Sequence, residues 1–589
     1  MIKLPYGLAD FYDLITHGYL YVDRTEYLRN VEAFGRALLF VRPRRFGKSL
    51  WLQTLRCYYD LRLGTEFERL FGDLAIGREP TPLHNRYFVL TLNFSEVDSL
   101  GSIETIGQRL GEHVNAQIRG FLLDYRDHLG DVELDPNPAV SLTNLLAAIR
   151  QTPWRLYLLI DEYDNFVNEA MAKDAGVYRG LVQRDGPFKQ LFKSLKAAME
   201  GRGLERLFLT GVSPVALSDA TSGFNIAENL YRRPAFNALC GFTERDLREI
   251  LRQLALAGQL EEERIEPTLE LMRVWYNGYC FASGAKERVY NPTNCLYLLK
   301  YLQQEGELPR TLQDSNLAAD EGKLHFLGGV AASSQVVIDL LQDNGEIEVA
   351  SLEERFTLRQ LADKETQDPS FIASFLYYFG LLTEVGEARQ HLALGIPNLV
   401  VKKLYAEHLS TLLLPRGADR GEAGEHVRAF LGGGELAPFL AFVETKLFRV
   451  FSHRDYRWAN AQAIKAAFLA LLFDDTRYAV FSELELARGH ADLCLLLRPD
   501  ARAAGAFDLL FEFKYVRPQE LGLSSEELSQ LSAAQLSELP PVAEALRTAH
   551  TQLVRYREAF VERFGEAVRP RCYAVVALGF ERLVGEMVG

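Results

Sequence analysis

The feature that most constrains this chain is a short apolar run that leads through a basic loop into Gly47-Lys48-Ser49. The run Ala37–Val41 predicts a buried strand, and the residues after Gly47 predict a helix with one apolar face. A loop that feeds a helix N-terminus directs backbone N–H groups and the positive end of the helix dipole at phosphate. The order of these elements predicts a phosphate-binding loop in an α/β domain. A coincidental helix start is the alternative interpretation.

The residues around Gly47 are those that contact the nucleotide and Mg²⁺ in a phosphate-binding loop. Lys48 would reach the β- and γ-phosphates of a nucleotide, and the Ser49 hydroxyl would ligate Mg²⁺. The pattern departs from G-x-x-x-x-G-K-[ST] at Arg42, which stands where the first glycine is expected. The predicted nucleotide contacts are Arg45, Phe46, Gly47, Lys48, Ser49 and Leu50.

A second apolar run, residues 156–160, ends in the two carboxylates Asp161 and Glu162. Asp161 is placed to hold Mg²⁺, and Glu162 is placed to polarise the water that attacks the nucleotide. Acids that decorate a helix N-terminus are the alternative. Thr210 ends a further run, residues 207–210, and would sense the γ-phosphate from a neighbouring strand. For Thr210 the alternative is an ordinary turn at a strand end.

These runs, together with residues 87–94, alternate with helical stretches over the first 215 residues. Continuous apolar strands separated by helices indicate a parallel sheet that is covered on both faces. From Phe242 onward the pattern is mostly helical, with a capped helix start at Thr243-Glu244-Arg245-Asp246. A hairpin around residues 380–401 makes this region compatible with a winged-helix unit. The segments 416–425 and 432–434, rich in glycine or charge, predict junctions.

A period-two alternation of polar and apolar residues marks the segment 507–515 near the C-terminus. Asp508, Glu512 and Lys514 share one face of the predicted strand. Just upstream, Asp492 leads into a second strand over residues 493–497. Charged residues inside an apolar strand cost free energy unless they are paired or functional. An acid from one strand and a Glu-x-Lys from the next can therefore converge on a single metal ion.

Each residue of this constellation has a predicted role in phosphoryl chemistry. Asp492 and Glu512 would ligate Mg²⁺ through their carboxylates, and Phe513 would do so through its carbonyl oxygen. Lys514 would orient the attacking water or steady charge on the attacked phosphate. Gln552, on a helix predicted over residues 546–560, would contact phosphate or water at the rim. The alternative is a solvated edge strand with a ladder of ion pairs.

Composition limits the classes of function and location. The formal charge of −14 argues against a protein that coats nucleic acid through bulk charge, but it leaves a local basic groove open. No apolar run approaches the roughly 18–20 residues that span a bilayer, and the first residues lack the layout of a signal peptide. Six scattered cysteines without a C-x-x-C pair favour a reduced, cytoplasmic protein with no membrane partner.

Several blocks of residues together resemble the bacterial AAA-ATPase-like family, whose members are typically fused to a PD-(D/E)XK nuclease domain. The N-terminal blocks are Tyr21-Val22-Asp23-Arg24-Thr25, Arg42-Pro43-Arg44-Arg45-Phe46-Gly47-Lys48-Ser49-Leu50, Ile160-Asp161-Glu162-Tyr163-Asp164 and Thr210-Gly211-Val212-Ser213. The later blocks are Trp275-Tyr276-Asn277-Gly278-Tyr279, Tyr290-Asn291-Pro292, Ile396-Pro397-Asn398, Gly489-His490-Ala491-Asp492-Leu493, Glu512-Phe513-Lys514 and Gln552-x-x-x-Tyr556.

The resemblance changes the interpretation of Arg42, because arginine replaces the first glycine as a rule in that family. Two residues depart from the family pattern: His490 stands where the family often has arginine, and Arg24 where it often has lysine. Neither residue is a presumed metal ligand. The resemblance implies ATP as ligand, a C-terminal restriction-endonuclease-like α/β fold, and Mg²⁺ or Mn²⁺ as the metal.

We expect a multidomain α/β protein with three parts. Residues 1–240 would form an AAA-like P-loop ATPase domain with a parallel sheet, 241–425 a helical lid or linker with a winged-helix unit, and 426–589 a PD-(D/E)XK nuclease domain. The expected function is an ATP-regulated nuclease acting on DNA, with RNA as an open alternative and a homo-oligomer as an open assembly. The competing hypothesis is a nucleotide-dependent binding switch with a vestigial nuclease domain. A metabolic phosphotransferase would leave the C-terminal carboxylates unused.

Overall fold

The computed structural model describes residues 1–173, 175–182, 186–214, 216–217, 224–314, 331–341, 345–353, 369–388, 391–448, 461–487, 489–504 and 506–589 of the 589-residue chain. The described residues divide into two compact units. The first unit contains Met1–Glu307 and Glu348–Leu394, and the second contains Leu308–Ile347 and Gly395–Gly589.

The α-helices that the structure describes are distributed over both units. In chain order they are α1 Phe11–Thr16, α2 Tyr27–Phe34, α3 Lys48–Tyr59, α4 Phe67–Phe71, α5 Ile103–Asp124, α6 Pro138–Ile149, α7 Asn165–Lys173, α8 Ala175–Val182, α9 Pro187–Met199, α10 Glu244–Leu256, α11 Ile265–Tyr276, α12 Pro292–Glu305, α13 Ala331–Leu340, α14 Pro369–Tyr378, α15 Leu399–Leu413, α16 Gly417–Gly433, α17 Leu436–Phe442, α18 Ala461–Leu472, α19 Pro518–Leu521, α20 Ser525–Gln530, α21 Ala533–Ser537 and α22 Pro540–Phe564.

The described strands form three sheets. They are β1 Ala37–Val41, β2 Tyr87–Asn93, β3 Arg155–Asp161, β4 Leu204–Gly211, β5 Glu228–Asn229, β6 Glu346–Val349, β7 Thr383–Ala388, β8 His391–Gly395, β9 Tyr478–Leu486, β10 Gly489–Leu497, β11 Asp508–Val516, β12 Pro570–Leu578 and β13 Arg582–Val588. Among the described residues, the sheet orders are β2-β3-β4-β1-β5, β6-β8-β7 and β13-β12-β11-β10-β9.

The first unit is built on the parallel sheet β2-β3-β4-β1-β5. Strand β1 pairs in parallel with β4 and β5, and β3 pairs in parallel with β2 and β4. Nearly every residue of β1, β3 and β4 is buried, which explains why their sequences are continuously apolar. The predicted parallel sheet is confirmed. The two-residue strand β5 has no pattern of its own and was not predicted.

The region after residue 240 begins with the predicted helix cap. The Thr243 hydroxyl accepts a hydrogen bond from the Asp246 N–H, and the Asp246 carboxylate accepts one from the Thr243 N–H. Further along, α14 is followed by β7 and β8 at the position of the predicted hairpin, and β6 adds a third strand beside β8. The interpretation of this helix and ribbon as a winged-helix unit stays a prediction.

The junction predicted at 416–425 is wrong, because helix α16 covers residues Gly417–Gly433; the glycines at 432–434 lie where this helix ends, with Gly434 in the left-handed conformation. Its buried residues Ala423, Val427, Phe430 and Leu431 lie at helical spacing. The Phe430 ring packs against Phe511 and Tyr573 of the second-unit sheet. Tertiary burial therefore stabilises a helix whose glycines disfavour it by roughly 1 kcal/mol each relative to alanine.

The second unit contains the C-terminal sheet β13-β12-β11-β10-β9. Strands β11 and β12 pair in parallel, whereas β9 with β10, β10 with β11, and β12 with β13 are antiparallel. A parallel pair needs a crossover connection, and α22, the longest helix between the two strands, packs its buried residues over the sheet. The predicted strand-rich C-terminal region and its helix are confirmed.

The division into two units differs in outline from the predicted three-part organisation. Residues 241–307 and 348–394 belong to the first unit, and residues 395–425 belong to the second. The predicted domain boundaries stay a prediction. In the part of the chain that the structure describes, no helix is long and apolar enough to cross a bilayer.

Candidate nucleotide site and carboxylate cluster

The loop between β1 and α3 has the backbone conformation that a phosphate-binding loop needs. Arg45 and Gly47 both have positive φ, of 68° and 96°, so the chain turns sharply before the helix begins at Lys48. An added Cβ at Gly47 would meet no atom within 4 Å, so glycine is favoured there by backbone conformation and not by space. Gly47 has no side chain to cap α3, and the first-turn N–H groups stay available to an anion.

The Lys48 side chain lies inside this loop with only 5% of its surface exposed. Its ammonium donates to the carbonyl oxygens of Arg42 and Pro43 at 2.9 and 3.0 Å. Burial lowers the pKa of Lys48, while the nearby carboxylates, Asp161 first among them, raise it. The ammonium thus has two neutral acceptors that phosphate oxygens could replace.

The strand order places Thr210 beside Asp161. Strand β4 lies between β1 and β3, and the Thr210 hydroxyl donates to Asp161 Oδ1 at 2.5 Å. The same carboxylate oxygen accepts the Glu162 N–H at 3.0 Å. The structure therefore brings together two residues, Asp161 and Thr210, that lie 49 positions apart in the sequence.

Glu162 is held in a strained backbone conformation at the end of β3. Its φ of 47° is unusual for a residue with a side chain, and such strain persists where the surrounding structure imposes it. Burial raises the pKa of Glu162, and the positive charge of Lys48 opposes that shift. A carboxylate with a raised pKa beside a phosphate-binding loop is suited to accept a proton from water.

Asp164 fixes the loop after β4 to the end of β3, and no function had been assigned to it from the sequence. Its carboxylate is 1% exposed and accepts hydrogen bonds from the Val212 and Ser213 N–H groups and from the Asn168 amide. An added Cβ at Gly211 would lie 2.4 Å from Asp164 Oδ1, so this close approach requires glycine. The signal in the sequence was a third acid, which follows Asp161 and Glu162 at position 164.

Arg42, which replaces the first glycine, has a structural role. Its guanidinium donates to the carbonyl oxygens of Val41, Tyr231 and Phe236. It also lies over the rings of Phe40 and Phe281, at 4.5 and 4.2 Å from their centroids. Burial lowers the pKa of Arg42 to about 10. The arginine thus ties the start of the loop to the segment that follows β5.

A cavity of about 300 Å³, here called the nucleotide pocket, adjoins the loop. All six predicted contact residues, Arg45, Phe46, Gly47, Lys48, Ser49 and Leu50, line it together with Glu162. The lining also includes apolar residues of the N-terminal segment and of two later segments, among them Pro5, Leu8, Val22, Leu239, Phe242 and Pro292. A cavity that combines a phosphate-binding loop with apolar residues suits a nucleotide.

In the second unit, Asp492 and Glu512 lie where two strands separate. The β10–β11 ladder runs through the pair Leu493–Phe511, and continuing its register would bring Asp492 opposite Glu512. Asp492 Oδ2 instead accepts the Phe513 N–H at 2.6 Å. Both carboxylates are buried, with 8% and 2% of the residue exposed. Phe513 thus contacts Asp492 through its N–H, and the predicted use of its carbonyl oxygen stays a prediction.

Glu512 has an environment that favours a positive partner. Burial, followed by the charge of Asp492, raises the pKa of Glu512 to about 7. The Lys514 ammonium donates to Glu512 Oε1 at 2.7 Å, while Oε2 is buried and has no hydrogen-bond partner in the described part of the chain. An oxygen of this kind fits a cation better than an apolar contact.

Lys465 also reaches this group, although it had no place in the predictions from sequence. It lies on α18, and its ammonium donates to Asp492 Oδ1 at 2.5 Å and lies 3.6 Å from Glu483 Oε1. We call Lys465, Glu483, Asp492, Glu512 and Lys514 the carboxylate cluster. No group of three or more Asp, Glu, His or Cys residues in the described ranges is arranged to hold a metal ion. The metal site predicted at Asp492 and Glu512 therefore stays a prediction, and the Glu512 oxygen without a hydrogen-bond partner in the described ranges is the feature that favours it.

Gln552 lies on α22, one turn before Tyr556. The Tyr556 hydroxyl would be 2.6 Å from a Cβ added at Gly489, so the helix covers the start of β10. Gln552 Oε1 is buried with no hydrogen-bond partner among the described residues. Its predicted contact with phosphate or water stays a prediction. Tyr556, 2% exposed, belongs to the core, as its position in the apolar stripe indicates.

Comparison with known proteins supports the assignment of the N-terminal region. Residues 5–221 match the family model "AAA-ATPase_like: Predicted AAA-ATPase". The chain is also 27% identical over 542 residues to an "Uncharacterized protein in vnfD 5'region" of Azotobacter chroococcum mcd 1. The alignment covers 90% of this chain and 92% of that protein. An AAA-ATPase-like nucleotide-binding domain therefore occupies the N-terminal region.

Two solved structures of Aeropyrum pernix proteins are also similar in part. They are the ORC1 protein in complex with DNA, at 13% identity, and the ORC2 protein in ADPNP–ADP complexes, at 14% identity. Each alignment covers 66% of this chain and 93% of the other, with a TM-score of 0.27. A TM-score this low carries no inference about fold or function.

Proposed function

We propose that this protein is an ATP-regulated, metal-dependent nuclease that acts on DNA. The observation that carries the proposal is the meeting of Asp492, Glu512 and Lys514 at the point where β10 and β11 separate. The nucleotide pocket in the same chain supplies the ATP-dependent part. RNA is the alternative substrate of the same phosphodiester chemistry.

In the ATP-dependent step, the first turn of α3 and Lys48 bind the β- and γ-phosphates. Lys48 exchanges its two carbonyl acceptors for phosphate oxygens. Ser49 and Asp161 would hold Mg²⁺, which would neutralise charge on the phosphates. Glu162 orients and deprotonates the attacking water, and Thr210 positions Asp161 through their hydrogen bond.

In the nuclease step, Asp492 and Glu512 would hold Mg²⁺ or Mn²⁺. The metal, when bound, would lower the pKa of water and neutralise charge on the attacked phosphodiester. Lys514 keeps the Glu512 carboxylate oriented through its 2.7 Å hydrogen bond and steadies negative charge near the phosphate. The coupling of this step to ATP is proposed from the presence of both sites in one chain.

A second function is favoured by the ion pairs of the carboxylate cluster. Asp492 and Glu512 each already have an ammonium partner, Lys465 and Lys514, as in a purely structural network. The protein would then be a nucleotide-dependent switch that binds a partner or nucleic acid, with a vestigial C-terminal domain. This hypothesis predicts ATP binding without phosphodiester cleavage.

The test is incubation of the full-length protein with plasmid DNA, single-stranded DNA and RNA, with Mg²⁺ or Mn²⁺, and with and without ATP. We expect cleavage of DNA that depends on the metal and changes with ATP. ATP hydrolysis without cleavage of any substrate under either metal would contradict the nuclease proposal and support the switch. Cleavage that is identical with and without ATP would contradict the regulatory part alone.

A further inference from the structure

Lys465 lies in an apolar helix that is docked beside the carboxylate cluster. Within the sequence of α18, Ala461–Leu472, it is the single charged residue. Phe468, almost one turn later, packs its ring 4.9 Å from Phe513 and 6.3 Å from Phe511. This packing fixes the helix against β11, where the Lys465 ammonium reaches Asp492.

The ammonium of Lys465 bridges acids from two strands. It donates to Asp492 Oδ1 on β10 at 2.5 Å and lies 3.6 Å from Glu483 Oε1 on β9. The side chains of Lys465, Asp492 and Glu483 are each less than one-fifth exposed. Ion pairs in such partly buried positions are less screened by solvent than those on the surface.

The strands open at the residues that this lysine contacts. The β9–β10 ladder includes the pairs Leu484–Ala491 and Ser482–Leu493, but the intervening Glu483 and Asp492 are not paired. Glu483 has a φ of 58°, a left-handed conformation that is strained for a residue with a side chain. The backbone pairing is therefore interrupted at the two residues whose carboxylates contact Lys465.

The charges of the cluster are close to balance. The three carboxyl groups of Asp492, Glu512 and Glu483 face the two ammonium groups of Lys465 and Lys514. A divalent ion ligated by Asp492 would lie within a few ångströms of the Lys465 ammonium and would be repelled by it. The ammonium and the metal therefore compete for the same carboxylate.

We propose that Lys465 is a built-in counter-cation that holds Asp492 and Glu483 in place until a divalent metal displaces it. This inference rests on the proposed metal site at Asp492 and Glu512. It makes Lys465 a positioning residue that sets the metal affinity. The metal-free cluster is then an ordered set of ion pairs and not a group of acids that repel one another.

The test is Mn²⁺ binding by the full-length protein without nucleotide, measured from the electron paramagnetic resonance signal of free Mn²⁺. The Mn²⁺ binding assigned to the cluster is the part of the total binding that is lost in Asp492→Ala. Lys465→Met is expected to tighten this binding on the order of tenfold, equal to about 1.4 kcal/mol, because one repelling charge is lost. Lys465→Arg keeps the charge and is expected to bind like the wild type.

Lys403→Met is the matched control. Lys403 forms a similarly buried ion pair with Asp475 at 2.9 Å in the same unit and a longer one with Glu407, and neither acid belongs to the cluster, so its loss should leave Mn²⁺ affinity unchanged. Thermal denaturation without metal should show both Met variants folded. Mn²⁺ affinity that is unchanged or weaker in Lys465→Met, while the wild type binds, would overturn the role of Lys465 and leave the metal site standing. If neither the wild type nor Lys465→Met showed Mn²⁺ binding that depends on Asp492, the metal site would be overturned as well.

Discussion

The nucleotide pocket holds a buried lysine and the carboxylate cluster holds two partly buried lysines, but the partners of these lysines differ. Lys48 donates to the neutral carbonyl oxygens of its own loop, next to a helix start whose N–H groups are open. Lys465 and Lys514 donate to carboxylates. The first site thus presents positive charge with weak, exchangeable partners, which suits an anion. The second is rich in carboxylates, which suits a cation. The same residue type prepares the two sites for ligands of opposite charge.

The largest effect is expected from removing the cation of the nucleotide pocket. Lys48→Ala should weaken ATP binding on the order of 100-fold or more, since it removes a charged donor to the phosphates. Titration with a fluorescent ATP analogue measures the loss. The exposed Lys193→Ala is the control and should bind like the wild type. Full ATP affinity in Lys48→Ala would contradict the assignment of Lys48 as the cation that binds the phosphates.

A large effect on stability is expected at the connection between β3 and the loop after β4. Asp164→Ala leaves the Val212 and Ser213 N–H groups without their acceptor in a buried site, at a cost of roughly 3 kcal/mol. Urea unfolding followed by loss of nucleotide binding reports on the first unit. Asn168→Ala removes only one of the hydrogen bonds to Asp164 and should cost about 1 kcal/mol. Equal losses in the two variants would contradict this role of Asp164.

A smaller effect is expected from straining the phosphate-binding loop. Gly47→Ala places a Cβ on a residue with φ of 96°, at a cost of about 1–2 kcal/mol, and should weaken ATP binding by about tenfold. Gly201→Ala has a comparable φ of 79° and equally open space, but lies away from the pocket. It should lower stability without changing ATP affinity. A loss of affinity in both variants would show a general effect of strain on the fold.

The smallest effect is expected from the hydroxyl that touches Asp161. Thr210→Val keeps the shape of the side chain, and should slow ATP hydrolysis by about fivefold with little change in ATP binding, since the lost hydrogen bond is worth about 1 kcal/mol. Thr91→Val on β2 removes a buried hydroxyl that has no hydrogen-bond partner among the described residues. It should leave hydrolysis unchanged. An unaltered rate in Thr210→Val would exclude a positioning role for Thr210.

The sequence predicted best those features whose parts lie close together along the chain. The strand, loop and helix around Lys48 follow one another, and Asp161 follows its own strand directly. Thr210 could be placed near Asp161 because both end parallel strands. The partners of Arg42 could not be predicted, since Tyr231 and Phe236 lie about 190 positions away.

The same limit applies to the C-terminal region. Asp492, Glu512 and Lys514 follow from strand periodicity, whereas Lys465 reaches them from a helix whose docking depends on Phe468. The sequence hinted at Lys465 only because it is the single charged residue in the otherwise apolar or uncharged sequence of α18. Helix α16 was missed for a related reason: its glycines favour a junction, and only the burial of Phe430 and its neighbours stabilises the helix.

The most direct test of the central claim compares two buried aspartates of the second unit that each bind a lysine. Asp492→Ala and Asp475→Ala would be assayed for plasmid cleavage with Mg²⁺ or Mn²⁺ and ATP, and for ATP hydrolysis in the same reactions. We expect Asp492→Ala to abolish cleavage while ATP hydrolysis continues, and Asp475→Ala to retain both activities. Cleavage at the full rate in Asp492→Ala would contradict the assignment of the carboxylate cluster as the nuclease site.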